Sequence, residues 1–123
     1  MSEHYELGKK GEEEAANFLT KKGFYIMHRN WRCGKLELDI VARDGDEIVF
    51  VEVKTRRNTY FGYPDEAIDD RKIRRIVSAA GAYVRYYSIN LPIRYDVVSV
   101  IGMDPPFEIE HVPDAFFPPM WNR

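Results

Sequence analysis

The segment from Lys35 to Lys54 constrains the fold most, because it predicts a β-hairpin at the centre of the chain. Its first half alternates apolar and mostly polar residues, the period-two pattern of a strand with one apolar face. The apolar set is Leu36, Leu38, Ile40 and Ala42. The second half, residues 48–53, is apolar and rich in β-branched residues except at Glu52. Such a run is typical of a central strand covered on both faces.

Four charged side chains within these apolar strands predict a functional site: Glu37, Asp39, Glu52 and Lys54. A two-residue turn at Asp44-Gly45 would set Arg43 opposite Asp46. In that register all four charges project from one face, with Asp39 and Glu52 on a diagonal about 7–8 Å apart. A four-residue loop keeps this arrangement, whereas a three-residue loop places Asp39 and Glu52 on opposite faces.

Three carboxylates and one ammonium group leave a deficit of positive charge on this face. A buried carboxylate is unfavourable unless a cation or hydrogen bonds neutralise it. Mg²⁺, or Mn²⁺ in its place, would supply the charge, since Mg²⁺ takes hard oxygen ligands and retains waters. The alternative is an ordinary ladder of salt bridges on a solvated sheet face, and the hairpin alone does not separate the two.

The first predicted helix, residues 9–22, adds another carboxylate. Its apolar stripe contains Ala15, Ala16 and Leu19. At about 100° per residue, Glu12 lies at the centre of that stripe and points towards the sheet. A carboxylate directed at an acidic sheet face suits a metal site better than a core. The alternative is that Glu12 lies near the helix start and favours the helix dipole.

Several short motifs occur together along the chain. They are Gly11-Glu12 with Ala15-Ala16, Glu37 to Ala42, Phe50 to Arg56, Lys72, Arg94 to Val97, and Ala115-Phe116. In combination they resemble the YraN family of uncharacterised bacterial proteins over essentially the whole chain. One departure is Leu36, where the family pattern has glycine before the acidic triplet.

The YraN family in turn resembles the Holliday-junction resolvases and the restriction-endonuclease-like fold. The signature of that group is Asp, then Glu-X-Lys on the adjacent strand, with a further acid on the first helix. The resemblance implies an α/β fold, a restriction-endonuclease-like mixed β-sheet flanked by α-helices. It also implies a set of catalytic residues, of which the three acids would bind the metal: Glu12, Asp39, Glu52 and Lys54.

A basic segment within an otherwise acidic protein predicts contacts with nucleic acid. The formal net charge of −2 argues against a strongly basic DNA-binding protein. Residues 54–75, however, carry seven basic and four acidic side chains, with aromatic rings interleaved around Gly62. Such residues can contact phosphates and stack on bases. The predicted nucleic-acid-binding residues are Arg56, Arg57, Lys72, Arg74 and Arg75. A loop pinned to the core and a solvated helix face are the alternatives.

The remaining pattern predicts the order helix, three strands, helix, two strands within one domain of 123 residues. The second helix is expected at residues 65–87. Strands outside the hairpin are expected at residues 24–31, 93–101 and 107–112. The proline- and aromatic-rich tail, residues 113–123, either packs over the core or forms an interface. By analogy with resolvases, the chain is expected to form a homodimer.

Sorting signals are not evident in the sequence. It shows no apolar run long enough for a signal peptide or a membrane helix, so we expect a cytoplasmic protein. Cys33 is the only cysteine, which excludes an internal disulfide and a cysteine-based zinc site.

The primary hypothesis is a metal-dependent DNA endonuclease that acts on branched or damaged DNA. Lys54 would orient or deprotonate the attacking water and offset charge on the phosphate oxygens. The alternative is a catalytically silent nucleic-acid-binding or interaction module with a nuclease fold. That module would bind DNA in a salt-sensitive manner and be indifferent to Mg²⁺.

Overall fold

The computed structural model describes residues 3–58 and 68–118, without the side chains of residues 3–5. Helices and strands follow one another in the predicted order. They are α1 (Glu3–Lys21), β1 (Tyr25–Cys33), β2 (Leu36–Asp44), β3 (Glu47–Arg56), α2 (Asp70–Tyr86), β4 (Ile93–Ile101) and β5 (Glu108–Val112).

The strands form one mixed sheet in the order β1-β2-β3-β4-β5. β1, β2 and β3 make an antiparallel meander, and β5 pairs antiparallel with β4 at the other edge. β3 and β4 are parallel over their length, from the pair Ile48 and Ile93 to the pair Arg56 and Ile101. A parallel pair needs a crossover connection, and the chain between β3 and β4 contains α2.

The two helices cover opposite faces of the sheet. On the α1 face the core contains Ala15, Ala16, Leu19, Phe24, Ile40, Ala42, Val49, Val51, Val98 and Val100. On the α2 face it contains Leu38, Val41, Ile48, Phe50, Ile76, Ala79, Ala80, Tyr83 and Tyr95. β3 contributes buried residues to both, which confirms it as a central strand. The α/β fold with a mixed sheet flanked by helices is therefore confirmed.

The predicted position of the hairpin turn is wrong. Asp44 pairs with Glu47, so the turn consists of Gly45 and Asp46 and the register shifts by two residues. Gly45 has a φ of 61° at the first central position, as in a type II′ turn, where only that residue needs positive φ. A shift of two by itself does not exchange the faces of the paired strands, because the side-chain period is two.

The apolar face of β2 is divided between the two sides of the sheet, which the alternation does not predict. Ile40 packs on the α1 face, whereas Leu38 packs on the α2 face. The change of side falls at Asp39. Asn30, the residue level with Asp39 on β1, has a φ of 53°. This left-handed conformation makes the two strands irregular here.

Both helices begin at residues other than those predicted. α1 begins at Glu3, so Glu12 lies in the third turn and not near the helix start. The proposed interaction of Glu12 with the helix dipole is therefore wrong, since that effect is confined to the first turn. α2 begins at Asp70 because the carboxylate of Asp69 caps it, accepting a hydrogen bond from the Lys72 N–H at 2.9 Å. The predicted start at Asp65 lies outside the described residues.

The C-terminal segment packs against β4 where the structure describes it. The Ala115 N–H donates to the Tyr95 carbonyl at 2.8 Å, and the Phe116 ring stacks on Tyr95 with centroids 5.1 Å apart. Packing of the tail over the core is therefore confirmed at these two residues. Phe117 is exposed, and residues after 118 lie outside the described part of the chain.

Neither helix in the described ranges is long and apolar enough to cross a membrane. α1 has 19 residues, but charged side chains occur along its whole length.

The close approach of α1 to β3 at Gly11 can be tested by substitution. A Cβ atom at Gly11 would clash with the methyl group of Thr55, whereas one at Gly8 meets no atom within 4 Å. We expect Gly11→Ala to lower the free energy of unfolding by about 1–3 kcal/mol through overpacking. Gly8→Ala, the matched control on the same helix, should raise it by about 0.5–1 kcal/mol. Urea denaturation measures both changes.

A second substitution separates the clash from a general effect on the helix. Thr55→Ser removes the clashing methyl group, so it should recover part of the stability lost in Gly11→Ala. Equal stability of Gly11→Ala and the wild type would show that the helix does not approach the strand this closely.

Candidate functional site

Asp39 and Glu52 meet where the β2–β3 ladder ends. The last backbone pair joins Ile40 to Val51, and the same register sets Asp39 level with Glu52. Asp39 uses its side chain instead of its backbone here, since its Oδ2 accepts the Val53 N–H at 2.9 Å. The two carboxylates are therefore neighbours across the strands and do not lie on the predicted diagonal.

Glu52 is a buried carboxylate with a strongly altered pKa. Its exposed fraction is 7%, and glutamate is almost never this buried without a partner. Burial, followed by the charge and hydrogen bond of Asp39, raises the pKa of Glu52 to about 8. The Glu52 carboxyl therefore holds its proton over most of the range in which other glutamates are ionised.

Lys72, from the first turns of α2, supplies a positive charge at this site. Its Nζ lies 3.1 Å from Oε2 of Glu52. Burial tends to lower the pKa of Lys72, but the adjacent Glu52 outweighs that effect and the pKa is raised. The lysine nevertheless lowers the pKa of Glu52 by less than burial and Asp39 raise it. One ammonium group therefore does not compensate for two adjoining carboxylates.

These side chains line a cleft of about 120 Å³ between strands β2 and β3 and helix α2. The charged residues of the cleft are Lys35, Glu37, Asp39, Glu52, Lys72 and Arg75. The cleft is thus acidic at its floor, where the strands part, and basic along its helical side. A phosphate group bridged to the carboxylates by a cation would meet both kinds of charge favourably.

Glu12 reaches the same region from the other helix. It is half-buried, and its side chain interacts with that of Asn30. Burial and the negative charge of Asp39 raise the pKa of Glu12. The structure therefore brings Glu12 into electrostatic contact with Asp39, as its place on the apolar stripe predicts.

Of the other two members of the predicted charge cluster, Glu37 lines the cleft and Lys54 does not. Lys54 is half-buried on the α2 face of β3. Glu37, level with Lys54 in the β2–β3 register, forms an ion pair with Arg32 on β1 at 3.4 Å. Lys72 takes the position beside Glu52 that the sequence analysis assigned to a residue of the hairpin itself.

The predicted nucleic-acid-binding residues are divided between the two faces of the sheet. Arg74 and Arg75 are exposed on α2, and Arg75 lines the carboxylate cleft. Arg57 lines a separate cavity of about 150 Å³ beside Lys10 of α1. Arg56 is half-buried at the end of β3. The loop around Gly62 lies outside the described residues.

A second buried carboxylate, Asp96 on β4, was missed by the sequence analysis. It accepts hydrogen bonds from Arg94 Nε at 2.8 Å and Nη2 at 2.9 Å, from His111 Nε2 at 2.8 Å and from the Asp114 N–H at 3.1 Å. Burial alone would raise the pKa of Asp96, but the hydrogen bonds, with His111 first, hold it below its usual value. The signal for this pair is Arg-Tyr-Asp within an apolar strand, which places Arg94 and Asp96 on one face.

The Asp96 network has a structural role. His111 Nδ1 accepts from the Lys22 ammonium at 2.9 Å, which leaves its Nε2 proton for Asp96. Arg94 also pairs with Asp44 and Glu47 beside the hairpin turn, both at 3.1 Å. The network therefore connects the end of α1, the hairpin turn, β4 and β5. Each carboxylate oxygen of Asp96 accepts two hydrogen bonds.

The fold and site define a class of α/β protein with an acidic pair at the parted ends of two central strands. The sequence profile of the family described as "Uncharacterised protein family UPF0102" matches residues 11–100. A UPF0102 protein of Phocaeicola vulgatus is 54% identical over 121 residues, which cover 98% of this chain and all of that protein. One of Bacteroides thetaiotaomicron is 51% identical over the same shares of both chains.

More distant relatives match over nearly the same length. A UPF0102 protein of Flavobacterium psychrophilum is 42% identical over 117 residues, which cover 95% of this chain and 98% of that protein. The chain belongs to the UPF0102 family, and the resemblance to the YraN family is thereby confirmed.

The raised pKa of Glu52 predicts an unusual dependence of stability on pH. The pKa of a glutamate in the unfolded chain is about 4.3, whereas the pKa of Glu52 in the folded protein is about 8, so the folded state binds this proton more tightly. Stability should therefore fall as the pH rises between those values, by at most about 1.4 kcal/mol per pH unit from this group. Glu52→Gln removes that contribution.

Urea denaturation of the wild type and Glu52→Gln, in EDTA across this pH range, measures the effect. Glu37→Gln is the matched control, because Glu37 has a 55% exposed side chain paired with Arg32, and it should retain the wild-type slope. Parallel pH profiles for the wild type and Glu52→Gln would show that Glu52 does not hold its proton.

Proposed function

We propose that this protein is a metal-dependent endonuclease that hydrolyses phosphodiester bonds in DNA. The observation that carries the proposal is the contact between Asp39 and Glu52 at the parted end of two central strands. Folding alone gives no reason to place two carboxylates together with one of them buried, since the charge of Asp39 disfavours ionisation of Glu52. Perturbed acids in a cleft are typical of catalytic sites.

The donor set fits Mg²⁺ or Mn²⁺. In residues 3–58 and 68–118 no group of three or more His, Cys, Asp and Glu side chains could hold a metal ion unaided. Mg²⁺ does not require such a group, because it commonly binds one or two carboxylates together with waters and substrate phosphates. Asp39 and Glu52 supply these hard oxygen donors, and Glu12, which does not join them as a third direct ligand, would contribute through a water molecule.

The protein side chains have distinct proposed roles. A bound divalent cation would polarise the phosphate and lower the pKa of a coordinated water. Asp39 and Glu52 hold that cation, and burial of Glu52 strengthens the attraction by excluding solvent. Lys54, on the same face of β3, orients or deprotonates the attacking water and offsets charge on the phosphate oxygens. Arg75 and Lys72 on α2 favour entry of the polyanion into the cleft.

The DNA substrate is proposed to be branched or damaged, because the sequence motifs of the chain resemble those of Holliday-junction resolvases. Such proteins are commonly dimers, so a homodimer would present two clefts to one branched DNA. Solution mass measurement tests the dimer independently of cleavage.

One observation favours the second candidate function, a nucleic-acid-binding module without turnover. The Lys72 ammonium already contacts Glu52 at 3.1 Å, so the site has a cation of its own. In that case DNA binding would depend on salt and be indifferent to Mg²⁺.

Cleavage of labelled DNA tests the enzyme proposal. The panel is linear duplex, single strand, flap and four-way junction, each with Mg²⁺, Mn²⁺ or EDTA. We expect cleavage of at least one structure, loss in EDTA, and a fall of about 100-fold or more in Asp39→Asn and Lys54→Ala, because each removes stabilisation of the transition state. DNA binding, measured in EDTA, should persist in Lys54→Ala.

Asp46→Asn is the matched control, because its exposed carboxylate lies at the hairpin turn with a 93% exposed side chain. Full activity of Lys54→Ala would show that its assigned role is wrong. The enzyme proposal would be overturned if cleavage survived Asp39→Asn. It would also be overturned, in favour of the nucleic-acid-binding module without turnover, if the protein bound DNA but cleaved none of the panel.

A further inference from the structure

The outer face of α2 carries a row of polar and basic side chains next to the cleft. They are Arg71, Arg74, Arg75 and Ser78, and all four are exposed. Their spacing of three, four and seven residues places them on one side of the helix. Lys72 and Ile76, by contrast, face the sheet beside Glu52 and the apolar core. The row therefore runs along the helix away from the carboxylates.

This row forms one wall of an open groove of about 280 Å³, whose other wall includes Leu36 at the start of β2. Leu36 and Arg75 also line the carboxylate cleft. The groove and the cleft therefore adjoin each other, and one strand of a polymer could occupy both.

The charge of the groove is not neutralised within the described part of the protein. No carboxylate in residues 3–58 or 68–118 forms an ion pair with Arg71, Arg74 or Arg75. Other arginines differ, since Arg94 and Arg43 pair with carboxylates. Like charges one helical turn apart are unfavourable. A row of this kind in a protein of net charge −2 indicates an anionic ligand.

We propose that this groove, defined by Arg71, Arg74, Arg75, Ser78 and Leu36, binds the sugar–phosphate backbone of one nucleic-acid strand leading to or from the carboxylate pair. The proposal rests on the proposed function, since it extends the substrate path from the same site. At a rise of 1.5 Å per residue, the row from Arg71 to Ser78 spans about 10.5 Å. A row of this length can contact successive phosphates of one strand.

The chemistry of the groove predicts how it recognises the strand. Guanidinium groups and a hydroxyl donate hydrogen bonds to phosphate oxygens, and such contacts fix position without selecting bases. Binding through the groove should therefore be independent of base sequence and sensitive to salt.

Binding of a fluorescein-labelled single-stranded DNA, followed by anisotropy in EDTA, tests the groove without cleavage. The test variant is Arg71→Gln/Arg74→Gln. The matched control, Arg43→Gln/Arg85→Gln, removes the same charge from the hairpin and from the far end of α2. Glutamine preserves helix propensity at the three positions that lie on α2, Arg71, Arg74 and Arg85. We expect the test variant to bind about ten-fold more weakly at low salt, with a salt slope smaller by about 1.4, and the control to change less than about two-fold.

These measurements distinguish failure of the proposed strand-binding groove from failure of the proposed endonuclease activity. Equal affinities of the test and control variants for DNA would overturn the proposal that the groove binds a strand, whether or not DNA is cleaved. If only the test variant loses binding and the protein cleaves no DNA in Mg²⁺, the result supports the groove as a binding site for a DNA strand and overturns the proposed endonuclease activity. Unlabelled DNA and polyglutamate are compared as competitors at equal total charge. If polyglutamate competes as effectively as DNA, the groove is not specific for a nucleic-acid strand and the proposal is overturned.

Discussion

The parallel pairing of β3 with β4 is the constraint on which the rest of the structure depends. Parallel neighbours cannot be joined by a tight turn, so the chain must cross a face of the sheet, and the crossover contains α2. β3 then needs apolar residues on both faces, which explains the nearly unbroken run from Ile48 to Val53. α1 covers the remaining face. Because α2 begins after the chain leaves the carboxyl end of β3, its first turns can reach Glu52, and the crossover thereby gives the cleft its basic wall.

Much of this arrangement could be predicted from the sequence because it depends on periodicity. The spacing of apolar residues identified both helices and all the strands in order, and it placed Glu12 on the inner side of α1. The clustering of Asp39 with Glu52 survived a wrong turn position, because a register shift of two residues preserves the faces. The turn itself was misplaced because Gly45 can occupy either central position, and composition alone does not say which. The start of α2 was misplaced for a similar reason, since Asp65 and Asp69 are both acceptable cap residues in the sequence.

Contacts between distant parts of the chain were not predictable in the same way. The ion pair between Lys72 and Glu52 depends on how α2 packs against the sheet through Ile76, Ala80 and Tyr83. From the sequence, Lys72 is one of several basic residues at a helix start. Likewise, the bond from His111 to Asp96 joins adjacent strands through a register that no local pattern encodes. The division of β2 at Asp39 was hidden too, because positive φ at Asn30 is a property of the folded backbone.

The two buried carboxylates of the described structure show what folding does and does not explain. Asp96 is surrounded by donors from Arg94, His111 and Asp114, and its pKa is lowered, so the fold favours its charge. Glu52 is buried beside another acid with one lysine, and its pKa is raised, so the fold disfavours its charge. A glutamine at Glu52 would keep the volume and avoid that cost. Stability therefore gives a reason for Asp96 but none for the Asp39 and Glu52 pair, and a ligand that brings positive charge to the cleft gives one.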